Sequence, residues 1–305
     1  MGVGSRLESL TREQVLSWAE AAQDRAQQGT VNQRIPALAR CQPDWFSLQI
    51  DDLDRTLHGW GEIYQPFALM SVVKPFLLLY LLEQYGSDQV FTWVGIDPSD
   101  RPFNDLNQLK ADGGHPRNPM INSGALTLAG KLPGSDPVAE FKDWLNQRAG
   151  CQLWLDAPTL ESVRQGPRQA NLALLDCLVA GDRIQNPDQA LDAYEQICCF
   201  STRIDDLARL GRLLAFRQGS IQADHRRTVN ALMLTCGLYE ASAHHGLTIG
   251  LPIKSGISGA MLAIVPNQGV IATYGPALDA QGNSVAGLAF VTQLAQALGL
   301  SVFGD

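Results

Sequence analysis

Ser71-Val-Val-Lys-Pro-Phe-Leu-Leu-Leu-Tyr-Leu-Leu82 joins a polar pair to an apolar run. Residues three apart on a helix share a face, so the Ser71 hydroxyl and the Lys74 amine can meet. A serine alone is a poor nucleophile at neutral pH and needs a base. A lysine in a dry pocket loses proton affinity and can serve as one. A serine at a helix start is also surrounded by backbone N–H groups without intrahelical acceptors, which suit a developing oxyanion. Pro75 disfavours a helical Lys74 unless both lie in the first turn, so the helix is predicted to begin at about Ser71. Taken by itself the tetrapeptide carries little, since about one S-x-x-K match is expected by chance in a chain of this length.

On the N-terminal side of this stretch, residues 45–50 and 57–64 read as strands, with turn-like residues 51–55 between them. Near the other end, 261–265 and 270–274 read as a hairpin closed by Pro266-Asn-Gln-Gly269. Between them helical periodicity dominates, at 74–85, 122–129, 137–149, 171–180 and 202–216. Thr11-Arg-Glu-Gln14 is a capping box that opens a first helix running to about Gln28. Residues 284–298 read as a last helix with Gly299 as its stop. Ile35-Pro-Ala-Leu38 is expected to be extended. The predicted class is mixed α/β (α+β), with N- and C-terminal strands joined in one antiparallel sheet flanked by helices. Residues 1–305 are expected to form a single domain, with 1–29 as an N-terminal helical segment and about 75–220 as a helical region between the sheet-forming ends.

The chain has 305 residues, 45% of them hydrophobic, and a net charge of -8. That balance argues against nucleic acid or an anionic membrane as the main partner. The six cysteines form no C-x-x-C pair, and Cys198 and Cys199 are adjacent, a pattern that suits neither a zinc site nor a disulfide framework. No metal or other cofactor is expected. The N-terminus lacks an apolar signal region and the longest apolar run is too short to span a bilayer, so a cytoplasmic protein is expected. Asp51-Asp52-Leu-Asp54 lacks the spaced ligands of a calcium loop and reads as a solvated turn. His244 and His245 read as loop residues pointing apart, and His115 as a loop residue.

Lys254-Ser255-Gly256 precedes the C-terminal hairpin. It nearly matches the K-T-G that accompanies S-x-x-K in serine β-lactamases and penicillin-binding proteins. On an edge strand, its lysine and hydroxyl would be able to hold a substrate carboxylate, and its glycine would allow close backbone approach. Five stretches, in order, then resemble the serine-dependent bacterial-type glutaminases, whose fold is similar to that of β-lactamases. They are Ile35-Pro-Ala-Leu-Ala39, Ser71-Val-Val-Lys74, Arg117-Asn-Pro-Met-Ile-Asn-Ser-Gly-Ala125, Cys236-Gly-Leu-Tyr-Glu240 and Gly250-Leu-Pro-Ile-Lys-Ser-Gly-Ile-Ser-Gly259. Asp279-Ala-Gln-Gly-Asn-Ser-Val-Ala-Gly287 adds a sixth.

The resemblance implies a hydrolase of a linear amide, converting L-glutamine to L-glutamate and ammonia through a glutamyl-enzyme ester. It implies Ser71 as nucleophile, Lys74 as its partner and Tyr239 as the group that passes a proton to the leaving ammonia. A phenol beside an ammonium is expected to have a lowered pKa. Asn122, Asn171 and Tyr194 would bind substrate, and the backbone N–H of Ile257 would join the oxyanion hole. A homo-oligomer, dimer or tetramer, is implied as well. The family's Ser-Glu pair, seven or eight residues before the position of Asn171, is replaced here by Val163 and Arg164, so the acid for the substrate ammonium is assigned to Glu161. Val73 replaces a small residue between Ser71 and Lys74. Two alternatives remain at this point: a related amidohydrolase with a different amide substrate, and a non-catalytic glutamine-binding relative.

Overall fold

The computed structural model describes residues 5–219 and 221–304. Its main sheet has five strands, β1 (Ser47–Asp51), β2 (Thr56–Gly61), β3 (Ile253–Ser255), β4 (Ala260–Val265) and β5 (Gly269–Tyr274). They lie in the order β2-β1-β5-β4-β3 and every neighbouring pair is antiparallel. The N-terminal hairpin therefore completes a sheet begun by the C-terminal strands, as expected from the sequence. Ser47 faces Tyr274 and Asp51 faces Val270 across the join.

Strand β4, Ala-Met-Leu-Ala-Ile-Val, is apolar at every position because both faces of the sheet are covered. Alternate residues of a strand point to opposite faces. Ala260, Leu262 and Ile264 enter the larger core with the helical region, while Met261, Ala263 and Val265 enter a second core. The helices that shape these cores and the site are α1 (Arg12–Asp24), α2 (Lys74–Trp93), α3 (Asn122–Ala129), α4 (Gln169–Ala180), α5 (Pro187–Cys198), α6 (Ile204–Ala215) and α7 (Val285–Leu298). Helices α1 and α7 pack together over the second core. Helix α6 lies on the opposite face and is pinned there by Arg212, whose Nε and Nη2 reach the buried Asp51 carboxylate at 3.0 and 2.7 Å. Removing one partner of such a pair leaves an uncompensated buried charge.

Several elements differ from the sequence reading, each for a local reason. Ile35 is extended, but Pro36–Ala39 forms a short helical turn, because a proline at the first helical position has no N–H to lose. Helix α2 runs beyond Tyr85 to Trp93 and breaks at Gly86, which has φ 76 and ψ 164. The segment expected to open a helix at Thr202 instead forms a strand, Phe200–Thr202, between Phe67–Ala68 and Trp154–Leu155. His244 and His245 sit on a short helix, Ser242–Thr248, with ring centroids 5.1 Å apart. The turn after Asp51 is solvated as expected: the Asp52 carboxylate accepts from the N–H groups of Asp54 and Arg55. All six cysteines are free thiols.

Candidate active site

Ser71 sits in a tight turn, Met70–Val73, that runs directly into α2 at Lys74. Pro75 occupies the first turn of α2, where its missing N–H costs no hydrogen bond. The following Phe76-Leu-Leu-Leu79 is fully buried, so the apolar run anchors the nucleophile's turn in the core. Met70, just before Ser71, has φ 46, and Tyr239 has φ 57. Non-glycine residues in this region carry strain on the order of 1 kcal/mol or more, and such strain persists where the surroundings dictate it. Both strained residues adjoin the candidate nucleophile.

Lys74 is 1% exposed, and burial lowers its pKa to about 8, against the opposing influence of Cys198. Its Nζ lies 2.8 Å from Asn122 Oδ1 and 3.1 Å from the Met120 carbonyl oxygen. A neutral amine has two N–H groups and one lone pair. With both N–H groups committed to these acceptors, the lone pair is what remains for the hydroxyl three residues earlier on the same turn. Asn122 Oδ1 also accepts from the Tyr194 hydroxyl at 3.1 Å, and Asn122 Nδ2 donates to Asn171 Oδ1 at 2.9 Å. These partners fix the orientation of the Asn122 amide. Asn118 holds the loop that presents it, accepting at its Oδ1 from the N–H groups of Met120 and Ile121. Burial raises the Tyr194 phenol well above its usual value.

The Tyr239 phenol pairs with the Ser71 side chain and donates to the Ser255 carbonyl at 3.1 Å. The expectation of a lowered pKa is corrected here. Burial dominates and pushes the phenol up to about 12, with the Ser71 and Ser255 hydrogen bonds only partly offsetting it. Lys254 lies 4.4 Å from the Tyr239 ring centroid, and burial together with the charge of Lys74 pushes its own pKa well down. The suggested carboxylate-binding role of Lys254 and Ser255 also fails on geometry. Lys254 Nζ is turned inward onto the carbonyls of Gly237 and Ser255, at 3.0 and 2.7 Å, and Ser255 Oγ donates to Asn283 Oδ1. The Lys-Ser-Gly strand is instead a brace: Gly256 lies so close to the Ser71 turn that an added Cβ would stand 2.7 Å from the Leu69 oxygen and 3.3 Å from Ser71 N.

A cavity of about 770 Å³ opens beside these groups. Its lining includes Asn122, Asn171, Ile257, Phe103, Arg168 and Glu195. Ser71, Lys74, Tyr194 and Tyr239 are buried next to this lining and are linked to it through Asn122 and through the Phe103 ring, 4.8 Å from Tyr239. Seven of the sequence-predicted residues thus converge: Ser71, Lys74, Asn122, Asn171, Tyr194, Tyr239 and Ile257. Glu161 does not join them. It is exposed, its carboxylate bonds Gln165 at 2.6 Å, and it is absent from the lining. Val73 is fully buried in the core and does not reach the cavity. Sequence reasoning missed Phe103, Arg168 and Glu195. Glu195 had a usable signal, because it interrupts the apolar face Leu191, Tyr194, Cys198 of α5 with a charge, and a charge on a core-facing stripe needs a partner.

The comparisons with known proteins agree with one another. The Glutaminase family model matches residues 29–303. A glutaminase of Synechocystis sp. is 41% identical over 293 residues, covering 94% of this chain and 90% of that protein. The solved structure of the probable glutaminase ybaS has a TM-score of 0.89 at 29% identity, covering 97% of this chain and 100% of that one. A Bacillus subtilis glutaminase has a TM-score of 0.86 at 27% identity, covering 95% of this chain and 99% of that one. That structure is a covalent complex with 5-oxo-L-norleucine, formed by reaction of the protein with 6-diazo-5-oxo-L-norleucine.

Proposed function

This chain belongs to the glutaminase family, has its β-lactamase-like fold and hydrolyses the side-chain amide of L-glutamine to L-glutamate and ammonia; from that premise we propose that Ser71 is the nucleophile, Lys74 its base and Tyr239 the proton donor to the leaving ammonia. The Lys74 amine carries this reading: it is buried, its pKa is lowered to about 8, and once deprotonated its two N–H groups are held by Asn122 and Met120, which leaves its lone pair for the hydroxyl three residues earlier on the same turn. Lys74 takes the hydroxyl proton as Ser71 attacks the amide carbon. The oxyanion is met by N–H groups of the Ser71 turn and of Ile257. Tyr239, whose raised pKa keeps it protonated, delivers a proton to the departing nitrogen and regains one from the Lys74 ammonium. Water then hydrolyses the glutamyl ester with Lys74 again as base. Asn122, Asn171 and Tyr194 orient the substrate in this reading.

Residues 1–305 would act as one unit, because the sheet-forming ends supply Tyr239 and Ile257 while the helical middle supplies Asn122, Asn171 and Tyr194. A cytoplasmic location and a homo-oligomer, dimer or tetramer, belong to the same proposal. Among the described residues no helix is long and apolar enough to cross a membrane, and unpaired thiols fit a reducing compartment.

The direct test is ammonia release from millimolar L-glutamine by the purified protein, together with peptide mapping after treatment with 6-diazo-5-oxo-L-norleucine. A 5-oxo-norleucine adduct on Ser71 is expected, with loss of dinitrogen. An adduct on another residue of an active enzyme would reassign the nucleophile. The brace formed by Gly256 gives a second expectation. Gly256→Ala forces the Lys-Ser-Gly strand back from Ser71, and a displacement of this size at a reacting centre costs about 100-fold in kcat. A Gly256→Ala enzyme with wild-type kcat would show that the close approach has no part in catalysis.

A further inference from the structure

With Glu161 outside the cavity and Lys254 and Ser255 turned inward, the charged end of L-glutamine has no charged partner among the residues assigned so far. That end carries an α-ammonium and an α-carboxylate. On the cavity wall two groups of opposite charge already meet. Glu195 is 2% exposed, and its two carboxylate oxygens receive Arg168 Nε at 2.7 Å and Nη2 at 2.9 Å. Both side chains belong to the cavity lining.

Their placement ties them to the chemistry. Glu195 follows Tyr194 on α5, and the Tyr194 hydroxyl bonds Asn122, which bonds Lys74. Arg168 precedes α4 by one residue and stands three before Asn171, whose Oδ1 takes the other end of the Asn122 amide. Each branch of the polar chain from Lys74 therefore ends on a residue close in sequence to one member of this ion pair. An ion pair with a buried carboxylate is a poor device for stability, since desolvation of that group offsets much of the attraction. As a receptor it is well made. The fork engages two of the five guanidinium N–H groups and one lone pair on each carboxylate oxygen, so both partners keep capacity for a ligand.

The other charged lining residues fit this role less well. Asp279 Oδ1 accepts from the N–H groups of Gln281 and Asn283 and so closes its own turn. Arg34 is exposed at the cavity edge. Arg164, outside the lining, lies 3.7 Å from Glu195 and adds to the positive field around it.

We propose that the Arg168–Glu195 pair is the receptor for the substrate's amino-acid head group, with Glu195 taking the α-ammonium and Arg168 the α-carboxylate. The inference rests on the glutaminase reading. The pair would make the enzyme select free amino-acid amides over simple amides of the same length.

The test compares L-glutamine with glutaramate, which lacks the ammonium, and with 4-aminobutanamide, which lacks the carboxylate. Each is used as a substrate or, where turnover is slow, as a competitive inhibitor. Glu195→Gln should raise KM for L-glutamine about 100-fold with kcat changed much less, and should erase the preference for L-glutamine over glutaramate. Arg168→Gln should erase the preference for L-glutamine over 4-aminobutanamide. Should the glutamine variant fail to fold, Glu195→Asp, which keeps the charge and shortens its reach, should keep the preference over glutaramate at a raised KM. The proposal is overturned if these variants keep the wild-type preferences and KM, or if they lose activity on all three compounds by one common factor, as a purely structural pair would. Failure of the unaltered protein to release ammonia from L-glutamine would overturn the glutaminase reading itself, and is read separately from either result.

Discussion

Ser71→Ala is expected to reduce ammonia release from L-glutamine by at least about 10⁴-fold, because no other group then forms the acyl-enzyme bond. The substitution removes one oxygen from a turn whose surroundings are otherwise intact. Tyr239 keeps its hydrogen bond to the Ser255 carbonyl, and Lys74 keeps its two acceptors. The variant should therefore fold, with a thermal midpoint within a few degrees of the parent, since one lost hydrogen bond is worth about 1 kcal/mol. It should also still bind L-glutamine, because the binding groups are elsewhere. Activity, binding and thermal midpoint measured on the same preparation separate loss of chemistry from loss of structure. The adduct with 6-diazo-5-oxo-L-norleucine should disappear together with turnover. More than about 1% residual turnover would be incompatible with Ser71 as the nucleophile.

The parts of this site legible in the sequence are those fixed by local spacing. Ser71 and Lys74 share a turn because they are three apart, and the helices at Asn122–Ala129 and Pro137–Ala149 follow their apolar periods to the residue. The sheet was legible for a different reason: strands buried on both faces read as unbroken apolar runs, as at β4. What escaped is set by contacts between distant segments. The strand Phe200–Thr202 exists because Phe67–Ala68 and Trp154–Leu155 lie on either side of it. The Lys-Ser-Gly pattern suggests a ligand-binding cation, yet the partners of Lys254 are the carbonyls of Gly237 and Ser255, so it holds the loop carrying Tyr239 instead. The motif around Tyr239 is legible, whereas the sign of its pKa shift is not, because burial outweighs the Ser71 and Ser255 hydrogen bonds that lower it. Glu161 is near Asn171 in sequence only. On the helix Ala157–Gln165 it faces solvent, and the acid at the cavity comes from the next part of the chain, on α5.

The pH dependence of the reaction should be set by Lys74. Desolvation disfavours the ammonium, so its pKa falls to about 8. Only the neutral amine has a lone pair for the Ser71 proton. As pH falls below 8 the ammonium form accumulates and kcat/KM should drop, approaching tenfold per pH unit; as pH rises through 8 the rate should climb and level off. Tyr239 does not limit this limb, since it stays protonated up to about 12. Lys74→Arg tests the assignment most sharply. A guanidinium retains positive charge and hydrogen-bond donors but does not give up its proton in proteins, so charge is kept and basicity lost. Lys74→Arg and Lys74→Met should both lower kcat/KM by about 10³- to 10⁴-fold, and in both the rise near pH 8 should vanish from the residual activity. A purely electrostatic role for Lys74 predicts the opposite for arginine: substantial activity, with no dependence on a deprotonation near 8. Persistence of the rise in Lys74→Met would place the titrating base on another group, and Lys254 would then be the next to replace, because its amine is as deeply buried and its proton affinity is also depressed.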